Sequence, residues 1–145
     1  VDWSLRVALL SKKMVYIDVS FYCYLQRDTS SSHSMTTKKL HDLKSNVLAC
    51  IQLLSRQNQT MQKQLTPYVG YQYAILLLNI ASLADKHQQA MFLIGLQKEC
   101  HLLQFSNSSK VKLMNAANKL LGFQGMVSLL SIYVKITKRG IICQS

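Results

Sequence analysis

Acidic side chains are scarce in this chain: six Asp and Glu stand against 17 Lys and Arg, a formal charge of +11 over 145 residues. Glu99 is the single glutamate, so a catalytic carboxylate pair would have to be drawn from aspartates. A surface so short of negative charge attracts phosphates, nucleic acid or anionic lipid. Cysteine is sparse as well. Cys23, Cys50, Cys100 and Cys143 are widely separated and none lies in a CxxC pair, which argues against a disulfide framework or a zinc site. They read as buried thiols of a reducing, cytoplasmic setting. No uninterrupted apolar run reaches the roughly 18 residues that a membrane span needs. The opening VDWSLR has neither a basic n-region nor an initiating Met, so it reads as part of a longer chain and not as a signal peptide.

Apolar residues make up 49% of the chain, enough for the core of one domain. The expected architecture is mainly α: a helical bundle over 35–145, preceded by a short helix, strand and basic loop over 1–34. The strand is the most informative stretch. From Met14, Val15, Ile17, Val19, Phe21 and Cys23 alternate with Tyr16, Asp18, Ser20, Tyr22 and Tyr24, the period of extended chain. A hydroxyl-rich loop carrying Arg27 and His33 follows, up to Ser34.

Helical periodicity dominates on either side. Val1 to Lys13 has Trp3, Leu5, Val7, Leu9 and Leu10 on a broad face and cations near its end. From a cap at Thr36 or Thr37, Leu40, Leu43, Val47, Ile51 and Leu54 recur every three or four residues. A Gln- and Asn-rich tail, Gln57 to Gln64, extends or frays that helix. Thr66-Pro67 then predicts a fresh start, because a capping hydroxyl precedes a proline suited to the first helical position. The helix from there to Leu83 is apolar nearly all round and belongs at the centre of the bundle. Asp85 is a cap or a solvent-facing residue between helices. Ala90, Leu93, Ile94, Leu96, Cys100 and Leu103 carry the pattern to Phe105, and Ser106 to Ser109 is a loop. A short helix with Val111, Met114, Ala117 and Leu121 inward ends at Gly122. The last helix runs from Met126 to Lys138.

The chemistry open to these residues is limited. Arg27 offers a planar fork for phosphate or carboxylate, and Ser30, Ser31, Ser32 and His33 could add donors. The same residues suit an exposed turn, and on spacing alone that is the commoner outcome. Tyr22 and Tyr24 could stack on a base or sugar, or be half-buried in a sheet. His41, His87 and His101 sit on helices without ligand-like neighbours, so no metal site is indicated. Nucleic-acid binding is not expected, since the lysines are scattered and not interleaved with aromatics. Leu120 to Arg139 combines Leu121, Phe123, Met126, Val127, Leu130, Tyr133 and Val134 with a basic end at Lys135, Lys138 and Arg139. That pattern fits a helix lying at a membrane surface, and it fits a core helix with a solvated basic end.

Residues 1–34 resemble the end of the catalytic domain of family 2 glycosyltransferases, the GT-A-fold enzymes that build bacterial capsular and lipid-linked polysaccharides. A helix like ED-x-D/E-F/W-x-x-R is matched by Asp2, Trp3, Leu5 and Arg6. A strand like KKVxYIDxPFYYYRQR is matched by Lys12, Lys13, Val15, Tyr16, Ile17, Asp18, Phe21, Tyr22, Cys23, Tyr24, Gln26 and Arg27. A loop like EGSISHS is matched by Ser30, Ser31, Ser32 and His33. Thr29 departs from the usual Gly or Asn, and Ser31 from the usual Ile or Val. About a quarter of the chain is covered, in order. The helices beyond it resemble the C-terminal extensions of these enzymes in general character.

The resemblance implies sugar transfer, with inversion, from a nucleotide-sugar to a glycan or lipid-linked acceptor. Arg27, Ser30 and Ser32 would contact the donor diphosphate, and His33 would order the loop over it. The base, in a Glu-Asp pair, and an Asp-x-Asp motif for Mg or Mn are expected before Val1, so no residue here is assigned a catalytic role and the fragment alone is expected to be inactive. A separated strand edge invites pairing with a second copy, a homodimer. The other class of reading is a basic helical module that binds an anionic membrane surface, at the inner face of the membrane, or a protein partner.

Overall fold

A computed structural model describes residues 2–11, 15 and 36–142; 86% of these are helical and none lies in a strand. The mainly α architecture is therefore observed. The expected strand and basic loop fall outside the described residues, apart from Val15, which is exposed.

Helix α1 spans Asp2–Leu10, and α2 spans Thr37–Ser55. Thr36 caps α2, its side chain accepting the Lys39 N–H at 3.3 Å. Leu40, Val47 and Leu54 are buried at intervals of seven, with Cys50 between them, so one stripe faces the core as the periodicity requires.

The next boundary differs from expectation. Asn58, not Thr66, opens helix α3 (Gln59–Ala81), its side-chain oxygen accepting the Met61 N–H at 2.9 Å. The Gln-rich stretch thus starts a helix and does not extend α2. Gln62 secures the corner by donating to the Gln57 carbonyl at 2.8 Å. Pro67 lies inside α3, where it has no N–H to give to the carbonyl four residues back. The Thr66 hydroxyl donates to the Gln62 carbonyl at 2.6 Å, so it serves the helix interior and not its start. Burial beyond Pro67 offsets the lost bond: Val69, Tyr73, Ala74, Leu76, Leu77, Ile80 and Ala81 all leave solvent.

Helix α4 (Lys86–Leu93) begins at Asp85, whose carboxylate accepts the N–H groups of His87 and Gln88 at 2.8 and 3.3 Å. The helix expected to run on to Phe105 stops early. Ile94 leaves helical geometry, and Gly95 takes φ 79°, a left-handed conformation that glycine adopts without strain. The Lys44 ammonium caps this end from α2, donating to the carbonyls of Phe92 at 2.8 Å and Ile94 at 3.1 Å. Gln97–Phe105 then winds as a 3₁₀ segment that buries Leu102 and Leu103, while Ala90 and Ile94 are exposed.

Helix α5 covers Ser109–Ile142 with a break at Gly122 (φ 72°, ψ 177°), a region reserved for glycine. The expected stop at Gly122 is thus a joint between two helical halves. Val111 and Met114 face inward as expected, but Leu121 is exposed.

Two apolar clusters hold these elements. The larger gathers α3 with Leu40 and Val47 of α2, Leu96 and Leu103, and both halves of α5. The smaller joins Leu5 of α1 to Cys50, Leu54, Val69 and Leu102. Where the 3₁₀ segment crosses α3, a Cβ on Gly70 would overlap the Leu102 carbonyl oxygen. One polar network crosses the core. Buried Gln89 donates from Nε2 to the Ile80 carbonyl at 3.2 Å and to Ser131 Oγ at 3.0 Å, and its Oε1 accepts from Lys86 at 2.9 Å. The Ser131 hydroxyl in turn donates to the Val127 carbonyl at 3.1 Å.

Gly70→Ala should lower unfolding free energy by about 1–3 kcal/mol, read as a shifted urea midpoint at constant slope, because the crossing must open. Gln89→Leu should lose a similar amount, about 1–3 kcal/mol, by stripping Ser131 of its buried donor. Adding Ser131→Ala to Gln89→Leu should restore most of that loss; a simply additive double variant would show that the two side chains act separately.

Candidate functional site

Arg27, Ser30, Ser32 and His33, the expected diphosphate contacts, lie outside the described residues. Lys135 is exposed on the second half of α5. Lys138 and Arg139 continue the same helical backbone, and their side chains fall outside the described ones.

The face of α5 expected to meet a membrane is largely turned inward. Phe123, Met126, Val127 and Leu130 are buried in the main cluster, where they pack with α3. The core reading of these residues is the one observed. The reason lies in α3: a helix with little polar surface takes whichever apolar stripe is adjacent, and this stripe covers it. Leu121 and Tyr133 stay exposed. So does Ile136, which the periodicity had placed on the apolar stripe of the last helix, and so do Leu129 and Ile132, which it did not single out. The signal for them was present, because α5 is apolar on both sides, but periodicity alone does not say which side is covered.

The two halves of α5 enclose an apolar groove of about 350 Å³. Leu78, Met114, Ala117 and Met126 line its depth, Leu113, Leu129 and Tyr133 its exposed walls, and Lys110 supplies a cation at the edge. A second cavity, of about 530 Å³, lies between α2 and α4, with Thr37, His41, Lys44, Met91 and Phe92 on its walls. Lys44 is engaged there by its two carbonyls, and desolvation lowers its pKa below the ordinary lysine value. It acts as a helix cap first.

One further polar group is deeply enclosed. The Tyr73 hydroxyl donates to the Leu96 carbonyl at 2.7 Å and lies 3.7 Å from Cys100 Sγ. Having given its proton to Leu96, the phenol can accept the thiol proton of Cys100. Burial pushes both the Tyr73 phenol and the Cys100 thiol above their ordinary values. The pair joins α3 to the 3₁₀ segment. His41, His87 and His101 are exposed, and among the described residues no three His, Cys, Asp or Glu side chains converge.

The pH dependence follows from Tyr73. Its folded pKa lies above the unfolded value near 10, so above that pH the unfolded chain has released a proton that the folded chain keeps. The same holds for Cys100 from its ordinary value of 9.0, so stability should be complete below about pH 8 and decline as pH rises through 9 and 10. Tyr73→Phe should start less stable, for want of the Leu96 bond, and show a shallower alkaline decline in urea titrations. Comparison of the chain with family models, with curated proteins and with solved structures found no significant match.

Proposed function

We propose that this chain is the C-terminal part of a family 2 glycosyltransferase of the GT-A fold, an enzyme that moves a sugar from a nucleotide-sugar to a glycan or lipid-linked acceptor. The observation that carries this reading is the ordered match of residues 1–34 to the helix, strand and loop that close that catalytic domain. The geometry of α1 supports it. Asp2–Leu10 is helical where the family pattern has a helix. Leu5 is buried against α2, α3 and the 3₁₀ segment, while Trp3, Val7 and Leu10 face outward at spacings of four and three. A short helix with one apolar side anchored and another open suits a junction between two packed layers.

In this reading the chain's own residues bind and orient the donor. Arg27 takes the diphosphate in a charge-assisted, two-pronged contact that strengthens as negative charge builds on the leaving group. Ser30 and Ser32 add hydroxyl donors, and His33 holds the loop over the nucleotide. The described residues offer no seat for a divalent cation, so no role in holding one is assigned to them. By the same resemblance, the carboxylate that deprotonates the acceptor is not among the residues matched here.

The test uses the longer protein that includes this chain together with its nucleotide-binding half. Arg27→Ala should lower kcat/KM about a hundredfold or more, with kcat itself affected, while the circular dichroism spectrum stays unchanged. His33→Ala should cost less. Near-normal kcat/KM in Arg27→Ala would remove Arg27 from the donor site, and absence of any nucleotide-sugar turnover or binding in the longer protein would remove the reading itself.

A further inference from the structure

Helix α5 turns one side to the bundle and leaves the other uncovered. On its first half, Leu113 and Leu120 lie two turns apart on one stripe, 73% and 83% exposed. Lys112 and Lys119 run along one edge of that stripe, and Lys110 lies on the other. Beyond Gly122, Leu129, Ile132, Tyr133 and Ile136 recur at intervals of three and four and are also exposed, with Lys135 beside them. Leu113, Leu129 and Tyr133 meet around the apolar groove, so the two stripes form one surface. Isolated exposed leucines need no explanation, but a contiguous apolar patch bordered by charge marks an interaction site.

Charge identifies the occupant. Glu99 is the last acidic residue, so 100–145 carries Lys110, Lys112, Lys119, Lys135, Lys138 and Arg139 with no Asp or Glu among them. We propose that the exposed stripes on the two halves of α5 dock on an anionic lipid bilayer at the level of the headgroups. Apolar side chains enter the acyl boundary, and the flanking lysines lay their stems along it with their ammonium groups among the phosphates. The face involved is the one opposite Phe123, Met126, Val127 and Leu130.

Other arrangements fit less well. Ser109–Thr137 is long and apolar enough on average to cross a membrane. Crossing would require withdrawing Phe123, Met126, Val127 and Leu130 from the main cluster and separating Ser131 from Gln89. A second copy would bring two chains of charge +11 together on their least acidic face, where they repel. Nucleic acid offers phosphates but nothing to cover a stripe of leucine and isoleucine. The proposal rests on the burial and charge of α5 and not on sugar transfer, so it is tested without any enzymatic readout.

Sedimentation of the whole chain with vesicles provides the test. Vesicles of phosphatidylcholine and phosphatidylglycerol in equal parts should bind the chain, and phosphatidylcholine alone should not. Each Lys or Arg near an anionic leaflet raises binding about fivefold, so replacing Lys110, Lys112 and Lys119 together with Gln should weaken it about a hundredfold. Ile132→Gln with Ile136→Gln should also weaken it; both side chains are exposed, so the helical circular dichroism should be retained. As a measurement independent of those variants, Leu120→Trp in a Trp3→Phe background should shift its fluorescence to the blue on anionic vesicles. Equal binding to both vesicle types, no binding to either, or no blue shift would overturn the proposal. So would a concentration-dependent dimer that Ile132→Gln abolishes, which would assign the face to self-association.

Discussion

The arrangement of the bundle depends on a helix, α3, whose second half is largely withdrawn from water. Over Val69–Ala81, α3 buries Val69, Tyr73, Ala74, Leu76, Leu77, Ile80 and Ala81, which spread over nearly half of its circumference. Each fully buried Leu or Ile is worth about 1.5–3 kcal/mol relative to exposure, so no single neighbour satisfies such a helix. Three elements are required, and α2, the 3₁₀ segment and α5 supply them. The requirement explains features that would otherwise look unrelated. Pro67 is tolerated inside α3 because the burial that follows it outweighs one missing bond. The 3₁₀ segment can lie close because Gly70 presents no Cβ at the crossing. The second half of α5 turns Phe123, Met126, Val127 and Leu130 inward because α3 is the larger apolar surface within reach.

What was legible in the sequence was local chemistry. Thr36 and Asp85 are caps because a short oxygen-bearing side chain before a periodic run meets orphan N–H groups wherever the helix starts. Gly122 was legible as a break for a similar reason, since glycine alone occupies its backbone region cheaply. The centrality of α3 followed from its composition. Choices between two locally acceptable outcomes were not legible. Asn58 and Thr66 are both competent caps, and only the packing of the whole of α3 selects the earlier one. The break at Ile94–Gly95 was hidden because Leu93, Leu96 and Leu103 keep a helix-like spacing across it. The proposed diphosphate contacts, Arg27 to His33, lie outside the described residues and rest on the sequence motif alone.

The two outward surfaces of the molecule are anchored on different parts of its core. Leu5 fixes α1 to the smaller cluster with Cys50, Leu54, Val69 and Leu102. Both halves of α5 are fixed to the larger one. Val69 and Tyr73, one turn apart on α3, belong one to each cluster, so α3 links the two. In the proposed reading, a catalytic half would meet the α1 side while lipid meets α5. The helical block would then set the distance between the donor site and the membrane where a lipid-linked acceptor lies.

The contact between Gln89 and Ser131 bears on how freely α5 can move. Apolar surfaces tolerate sliding, since one leucine replaces another at little cost, and α5 has apolar residues on every turn. A buried amide does not tolerate it. A shift of α5 by one turn, about 5.4 Å along its axis, would carry Ser131 away and leave the Gln89 Nε2 without one of its two acceptors in a dry interior. The side-chain bond therefore acts as an alignment pin: it adds little to the strength of the bundle, yet it selects one register among several that the apolar contacts alone would leave nearly equal in energy.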